Sequence, residues 1–334
     1  MTPFLSRRQL LRWSAATGAA AALPQQGHAQ APALPDTLRL ICGFPAGGGA
    51  DAITRWVGDK VASVLARAAI VDNRPGAGGR LAVDALRSAA PDGHTILLTP
   101  SSVVTMYPYV YAKLGYDPVR DLVPVSQVCD FVHALAVGPA VPASVRTLQD
   151  FAAWCSANRT LANCGNTGDG SMPHFLTIML SRELKTRIEP VPYKGTAPAL
   201  NDLLGGQLTS LIAPEGSFTP YMSDGRLRLL GTSGDKRSHF FPAVPTFADQ
   251  GAPSVVVGEW FGMFMPAKTP PAVVARASGA IAAAVRQKDM TDKFAKFGMV
   301  NVGSSAEELA RRLQADLGFW APVVKGSGFT PLSS

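Results

Sequence analysis

Two hydrophobic rhythms run along the chain. Short unbroken apolar runs, bounded by glycine or proline, predict buried strands at 38–44 (LRLICGF), 69–72, 95–99 (TILLT), 134–137, around Asn163, and at 187–191, 208–213, 226–231 and 255–265. Between them, apolar residues three and four positions apart predict helices. The clearest covers 51–67, with Ile53, Trp56, Val57, Val61, Val64 and Leu65 on one face. Others are expected at 81–90, 147–158, 171–184 and 196–204, and at 271–286, 290–297 and 306–320 near the C-terminus. Strands alternating this closely with helices predict an α/β fold built on mainly parallel sheets. The spacing suggests two lobes, one of 36–135 together with 255–334 and the other of 136–254, with a ligand cleft between them.

The first residues read differently. Ser6-Arg7-Arg8-Gln9-Leu10-Leu11-Arg12 precedes a mildly apolar, alanine-rich stretch and then small residues at Gly27, Ala29 and Ala31. That order is the basic region, apolar region and cleavage site of a secretory signal over 1–31, with cleavage after Ala29 or Ala31. The paired arginines favour the twin-arginine form, which places the mature protein in the periplasm. Elsewhere no apolar run approaches the roughly 20 residues that a membrane-spanning helix needs.

Composition narrows the function. The chain has 334 residues, 47% of them hydrophobic and 16% charged, enough apolar material for a sizeable core. Residues 1–31 hold three arginines and no acid, so the remainder carries 28 basic against 24 acidic side chains, a net charge of +4. With no Lys/Arg run longer than two, this balance is no nucleic-acid footprint. Cys42, Cys129, Cys155 and Cys164 include no C-x-x-C, which removes zinc ribbons and thioredoxin chemistry. They are expected to be small buried hydrophobes, with a Cys155–Cys164 disulfide left open in an oxidising compartment.

Candidate chemistry concentrates in three glycine-rich turns that follow predicted strands and open predicted helices: Gly47-Gly48-Gly49, Gly76-Ala77-Gly78-Gly79, and the stretch 165–171 (GNTGDGS). Free amides at a helix N-terminus, with its partial positive charge, suit an anion, and glycine lets a carboxylate approach the backbone. Nucleotide signatures are missing: no G-x-x-x-x-G-K-[ST] occurs, and the third turn reads G-x-x-G-x-G. No G-x-S-x-G elbow or H-E-x-x-H appears either, so no catalytic or metal site and no cofactor is expected. Ser171, three residues before His174, reads first as a helix cap. Asp51 in the first turn of its helix reads as a dipole partner or as an orienting group for a ligand. Ser101 and Ser102 are caps or cleft donors, and Tyr193-Lys194 offers a phenol and a cation.

The stretches 44–51 (FPAGGGAD), 72–79 (DNRPGAGG) and 90–95 (APDGHT) resemble the opening of the Bug proteins. These are the TctC-type extracytoplasmic receptors of tripartite tricarboxylate transporters. Further matches are 168–171 (GDGS) with His174, 191–200 (VPYKGTAPAL), 202–207 (DLLGGQ), 242–246 (PAVPT) and 260–262 (WFG), in order along the mature chain. The resemblance implies a two-lobed, type II periplasmic binding protein closing on a small carboxylate, with no catalytic step. It implies a ligand held by the main chain of Ala46, Gly47, Gly48, Gly49 and Asp51 on one lobe and Thr167, Gly168, Asp169, Gly170 and Ser171 on the other. His174 and Tyr193 would support them. Where the family often carries Asp-Asn, this chain has Ala213-Pro214 followed by Glu215, so an amino-acid ligand would need Glu215 in that place. The implied partners are the ligand and the membrane permease subunits of a tripartite tricarboxylate-type transporter, for a monomeric receptor. The rival readings are a ligand-sensing accessory of a membrane signalling receptor and an exported enzyme acting on a carboxylate.

Overall fold

The computed structural model describes residues 36–223 and 225–333; the expected signal at 1–31 lies outside them. Ten strands form one curled, mixed sheet: β1 (Thr37–Cys42), β2 (Ala68–Asn73), β3 (Thr95–Pro100), β4 (Leu122–Val137), β5 (Asn163–Asn166), β6 (Glu189–Pro192), β7 (Ser210–Pro214), β8 (Arg228–Thr232), β9 (Gly258–Pro266) and β10 (Val300–Asn301). The principal helices are α1 (Gly49–Leu65), α2 (Arg80–Arg87), α3 (Ser101–Thr105), α4 (Tyr107–Val110), α5 (Leu148–Ala157), α6 (Met172–Glu183), α7 (Thr196–Leu204), α8 (Pro271–Val285), α9 (Lys288–Ala295) and α10 (Ala306–Gly326).

The strand order is β2-β1-β3-β9-β4-β7-β5-β6, with β8 and β10 also pairing with β4. Parallel pairs occupy both ends, β2-β1-β3 and β7-β5-β6, as the helix-linked runs predict. The middle is antiparallel. β9 joins β3 to β4, and β4 alone reaches both halves. From Leu122 to Val132 it pairs with β9, and from His133 to Val137 with β7. The run expected at 134–137 is therefore only the end of a 16-residue strand. Its earlier part is broken up in sequence by Pro124, Ser126, Gln127 and Asp130, and the pairing slips at two irregularities, Pro124/Ser126 and Gln127/Cys129. The buried Ser126 and Gln127 are satisfied from far along the chain: the Ser126 hydroxyl donates to the Ser304 carbonyl (2.7 Å), and the Gln127 backbone amide donates to Ser304 Oγ (2.8 Å).

The helices bury most of the face that their periodicity indicates, although in α1 Val64 stays exposed and Trp56 is half-buried. In α1, Ile53, Val57, Val61 and Leu65 turn inward. A Cβ on Gly58 would meet Leu40 of β1 at 2.5 Å, so glycine there permits close helix–strand packing. Capping boxes open α5 (Thr147 with Asp150) and α10 (Ser305 with Glu308). The Trp260 indole donates to Asp316 (2.7 Å), tying β9 to α10, which runs six residues beyond the expected end at 320. All four cysteines are buried free thiols, as small hydrophobes would be. Burial raises the Cys129 and Cys155 thiol pKa values, so both remain protonated.

The backbone of Gly216, just past β7, lies against Phe297 and Gly298, and a Cβ there would overlap the Phe297 carbonyl. Backbone cannot swing aside as a side chain can. Gly216→Ala is therefore expected to destabilise the fold by about 2–3 kcal/mol, measured by urea unfolding. Gly318→Ala, on the exposed face of α10 with open space around it, is expected to stabilise by up to about 1 kcal/mol. Equal effects at the two positions would contradict this packing.

Candidate functional site

The first glycine loop follows β1 and leads into α1. Its outer residues, Ala46, Gly47 and Gly48, are exposed, and Gly49 is half-buried. Gly47 has a positive φ of 87°, which glycine adopts without strain. Gly48 precedes α1 with no side-chain cap, so the first-turn amides are left to water or a ligand. Asp51 faces inward instead. Its carboxylate accepts from the Gly47 amide (2.9 Å), from Arg55 Nε (3.1 Å) and Nη2 (2.9 Å), and from Asn73 Nδ2 (2.9 Å). Asn73 also donates to the Phe44 carbonyl (3.0 Å). Burial alone would raise the Asp51 pKa, but hydrogen bonds from Arg55, Gly47 and Asn73 outweigh it and hold the group below its ordinary value. Asp51 thus shapes the loop, and its oxygens are already occupied.

The third glycine loop is built the same way. It leaves β5 at Asn166, whose Oδ1 accepts from the Gly168 amide (3.0 Å), and it turns through positive φ at Gly168 (139°) and Gly170 (69°). Ser171 caps α6 by accepting from the His174 amide (3.4 Å). His174 Nδ1 accepts from the Gly170 amide (3.3 Å) and lies 3.5 Å from Asp169 Oδ1. Burial lowers the His174 pKa, with Asp169 opposing, so a neutral ring accepts the Gly170 proton. Thr167 and Gly168 are half-buried and Asp169 is exposed. Tyr193 is committed elsewhere: its hydroxyl donates to Asp202 of α7 (2.8 Å). The second glycine turn packs against Tyr107, whose hydroxyl donates to the Gly78 carbonyl (3.1 Å).

A third group of residues stands where the strands end. Ser101 and Ser102 begin α3 directly after β3, and both are buried. Glu215 follows β7; one carboxyl oxygen accepts from Ser238 Oγ (2.7 Å), and the other is enclosed without a partner. Burial pushes its pKa up to about 7 against that hydrogen bond. Five further enclosed polar atoms lack partners: Ser101 Oγ, His133 Nδ1, Asn166 Nδ2 and Thr232 Oγ1, and Arg228 Nε at the opposite, amino end of β8. The first four belong to the ends of β3, β5 and β8 and to the residue where β4 changes partners. Leaving such atoms unpaired costs roughly 1–3 kcal/mol each. Gathering several at the carboxyl ends of strands is the mark of a ligand site in an α/β fold.

Sequence reasoning missed His133, Thr232 and Glu259 as parts of this region and took Asn166 only as a member of the 165–171 turn. Glu259, in β9, is 5% exposed, and its Oε2 lies 3.3 Å from His133 Nε2. Ser102 reaches the same carboxyl with both its hydroxyl and its amide. The available signal was a polar residue inside an apolar strand, which these residues share with ordinary surface positions. Among the described residues no cluster of His, Cys, Asp and Glu suits a metal ion, and no helix is long and apolar enough to cross a membrane.

Comparison with known proteins agrees with this architecture. Residues 5–24 match the twin-arginine translocation pathway signal sequence, and residues 53–329 match the tripartite tricarboxylate transporter family receptor, TctC. The chain is 31% identical over 292 residues to protein BugT of Bordetella pertussis, covering 87% of this chain and 89% of that protein. Among solved structures it resembles MatC from Rhodopseudomonas palustris with bound malate (TM-score 0.78, 28% identity, 86% of this chain and 99% of that one). It also resembles R. palustris Rpa4515 with adipate (TM-score 0.80, 27% identity, 89% and 99%). The curled α/β sheet, the glycine loops that open its helices and these likenesses converge: the chain belongs to the TctC, or Bug, family of tripartite tricarboxylate transporter receptors, periplasmic solute-binding proteins of the two-lobed binding-protein fold.

Proposed function

We propose that this receptor captures a small aliphatic dicarboxylate and delivers it, chemically unchanged, to the membrane permease subunits of a tripartite tricarboxylate-type transporter. The two lobes are 36–135 with 255–334, and 136–254. One ligand carboxylate is taken by the main chain at 46–49 and 167–171, and the buried hydroxyl of Ser101 and the free oxygen of Glu215 serve the rest of the molecule, with Ser102 holding Glu259. The observation that carries this reading is the set of enclosed, partnerless polar atoms at the strand ends. Malate and adipate, held by the two solved relatives, supply the chemical class. Amides suit this task because a helix N-terminus attracts an anion without a buried side-chain cation to desolvate. Asp51 and His174 act indirectly, by holding the Gly47 and Gly170 amides.

A thermal-shift screen of the mature chain against mono-, di- and tricarboxylates and their amides tests the reading. A ligand at about 1,000 times its Kd stabilises by ~4 kcal/mol, a shift of several degrees. Dicarboxylates are expected to give it and their diamides are not; equal shifts from acid and amide would contradict an anion site.

Two substitutions examine the first loop. Gly48 has an ordinary φ of −81°, and its Cβ would meet only the Pro45 carbonyl, at 3.6 Å. Gly48→Val is expected to abolish the ligand-induced shift while leaving the ligand-free Tm within about 2 °C. Asp51→Asn loses the Arg55 ion pair and loosens the loop, with a stability cost of about 1–2 kcal/mol near neutral pH. Because the folded-state pKa of Asp51 is lowered, wild-type stability from this group is complete above its ordinary value of 3.8 and is lost as pH falls through the lower folded value. The difference between wild type and Asp51→Asn in urea unfolding should accordingly shrink below about pH 4 and be constant above pH 5.

A further inference from the structure

We propose that His133 is a ligand-contacting residue of this cleft, donating a hydrogen bond from Nδ1 to a ligand carboxylate only while the buried His133–Glu259 pair holds a shared proton. The inference rests on the dicarboxylate reading above and adds to it a residue and a proton requirement.

The geometry comes first. His133 is 1% exposed and occupies the point where β4 exchanges β9 for β7. Its Nε2 faces Glu259 Oε2 at 3.3 Å, and Ser102 hydrogen-bonds that carboxyl from the other side. Nδ1 is enclosed and has no partner. Its register neighbour on β7 is Pro214, which has no N–H to offer, and the ring beside it is Phe131, 5.7 Å between centroids. The hydroxyl of Ser101, which precedes Ser102 at the end of β3, is also enclosed and partnerless. A ligand carboxylate accepting from Nδ1 and from this hydroxyl satisfies both.

The proton count then decides what Nδ1 can do. With one shared proton the pair is either carboxylate and imidazolium, or carboxylic acid and neutral imidazole. In the first form both ring nitrogens carry hydrogen. In the second the acid donates to Nε2, which leaves the ring hydrogen on Nδ1. Either way Nδ1 is a donor. Once the shared proton leaves, the remaining ring hydrogen sits on Nε2 facing the carboxylate, and Nδ1 becomes a bare acceptor that repels an anion. Burial disfavours charge on both partners, pushing Glu259 up to about 7 and His133 down to about 3. The pair therefore loses its proton above neutrality. Few other ionisable groups face it. α3 and β7 present hydroxyls and proline, and Tyr107 of α4, which feels the Glu259 charge, is held protonated by burial. Glu215, also near 7, is the competing titrating group in the region.

Calorimetric titration of the wild-type protein with malate and with adipate, from pH 6 to 9 in phosphate and in Tris at matched ionic strength, tests this. Both diacids are fully ionised above about pH 6.5, so proton uptake there belongs to the protein. Affinity is expected to be flat below pH 7 and to fall toward about tenfold per pH unit above it, with uptake approaching one proton per ligand near pH 8.5. His133→Phe should weaken binding at pH 6.5 by at least about tenfold and remove the uptake. Glu259→Gln should remove the pH dependence, and Glu215→Gln should retain it. Binding with pH-independent affinity and no proton uptake would overturn the proposal, as would uptake that survives Glu259→Gln but disappears in Glu215→Gln. If neither diacid binds at any pH, the dicarboxylate reading itself fails, and this inference falls with it.

Discussion

Everything in this molecule hangs on how β4 passes from one half of the sheet to the other without leaving buried backbone unpaired. At His133 the strand abandons β9, and the two collinear strands beside it, β8 and β9, are interrupted by the excursion between Ser233 and Val257. Ser233 closes that gap. Its hydroxyl donates to the Val257 carbonyl (2.6 Å) and accepts from the His133 amide (3.0 Å). Its own amide donates to the His133 carbonyl (2.8 Å), and its carbonyl accepts from the Val257 amide (2.7 Å). One small polar residue thus satisfies three crossing segments in a fully buried place, where an unmade hydrogen bond carries its whole desolvation penalty. Positioning the parallel ends of the sheet on either side of this junction is what aims their strand-end loops at one region.

The site that results is polar, with Asp51 kept charged beside Arg55 at its first loop. Its glycine loops supply backbone dipoles, and the side chains inside them serve those dipoles. Asp51 gathers the Gly47 amide together with Arg55 and Asn73, and His174 holds the Gly170 amide. The two acids that face inward, Glu215 and Glu259, are driven toward the neutral form by burial, which lessens their repulsion of an anion. Dipoles held rigidly by neighbours cost little to reorganise when a ligand arrives.

Much of the fold was legible because local patterns and tertiary environment agreed. The helix at 196–204 falls where its spacing placed it, and the parallel strands at 38–44 and 95–99 were betrayed by apolar runs that a strand buried on both faces requires. The loops at 46–49 and 165–171 were equally visible, since glycine before a helix carries a conformational meaning of its own. Legibility failed where polar residues are buried. The first part of β4 contains Ser126, Gln127 and Asp130, which interrupt its apolar run, and partners such as Ser304 are remote in the chain. The same blindness hid His133 and Glu259, two ordinary polar residues until the fold sets them side by side.

The sequence by itself determined the α/β class, the helix faces, the glycine turns and the family resemblance, because each depends on the chemistry of residues close together along the chain. Only the tertiary structure decided that Asp51 and Tyr193 are occupied with neighbours, that Glu215 keeps one oxygen free, and that His133 meets Glu259 across 126 positions. Whether a polar side chain points to water, to a partner or to an empty place is fixed by what packs against it. For His133 that neighbour comes from another strand, so no local pattern encodes it.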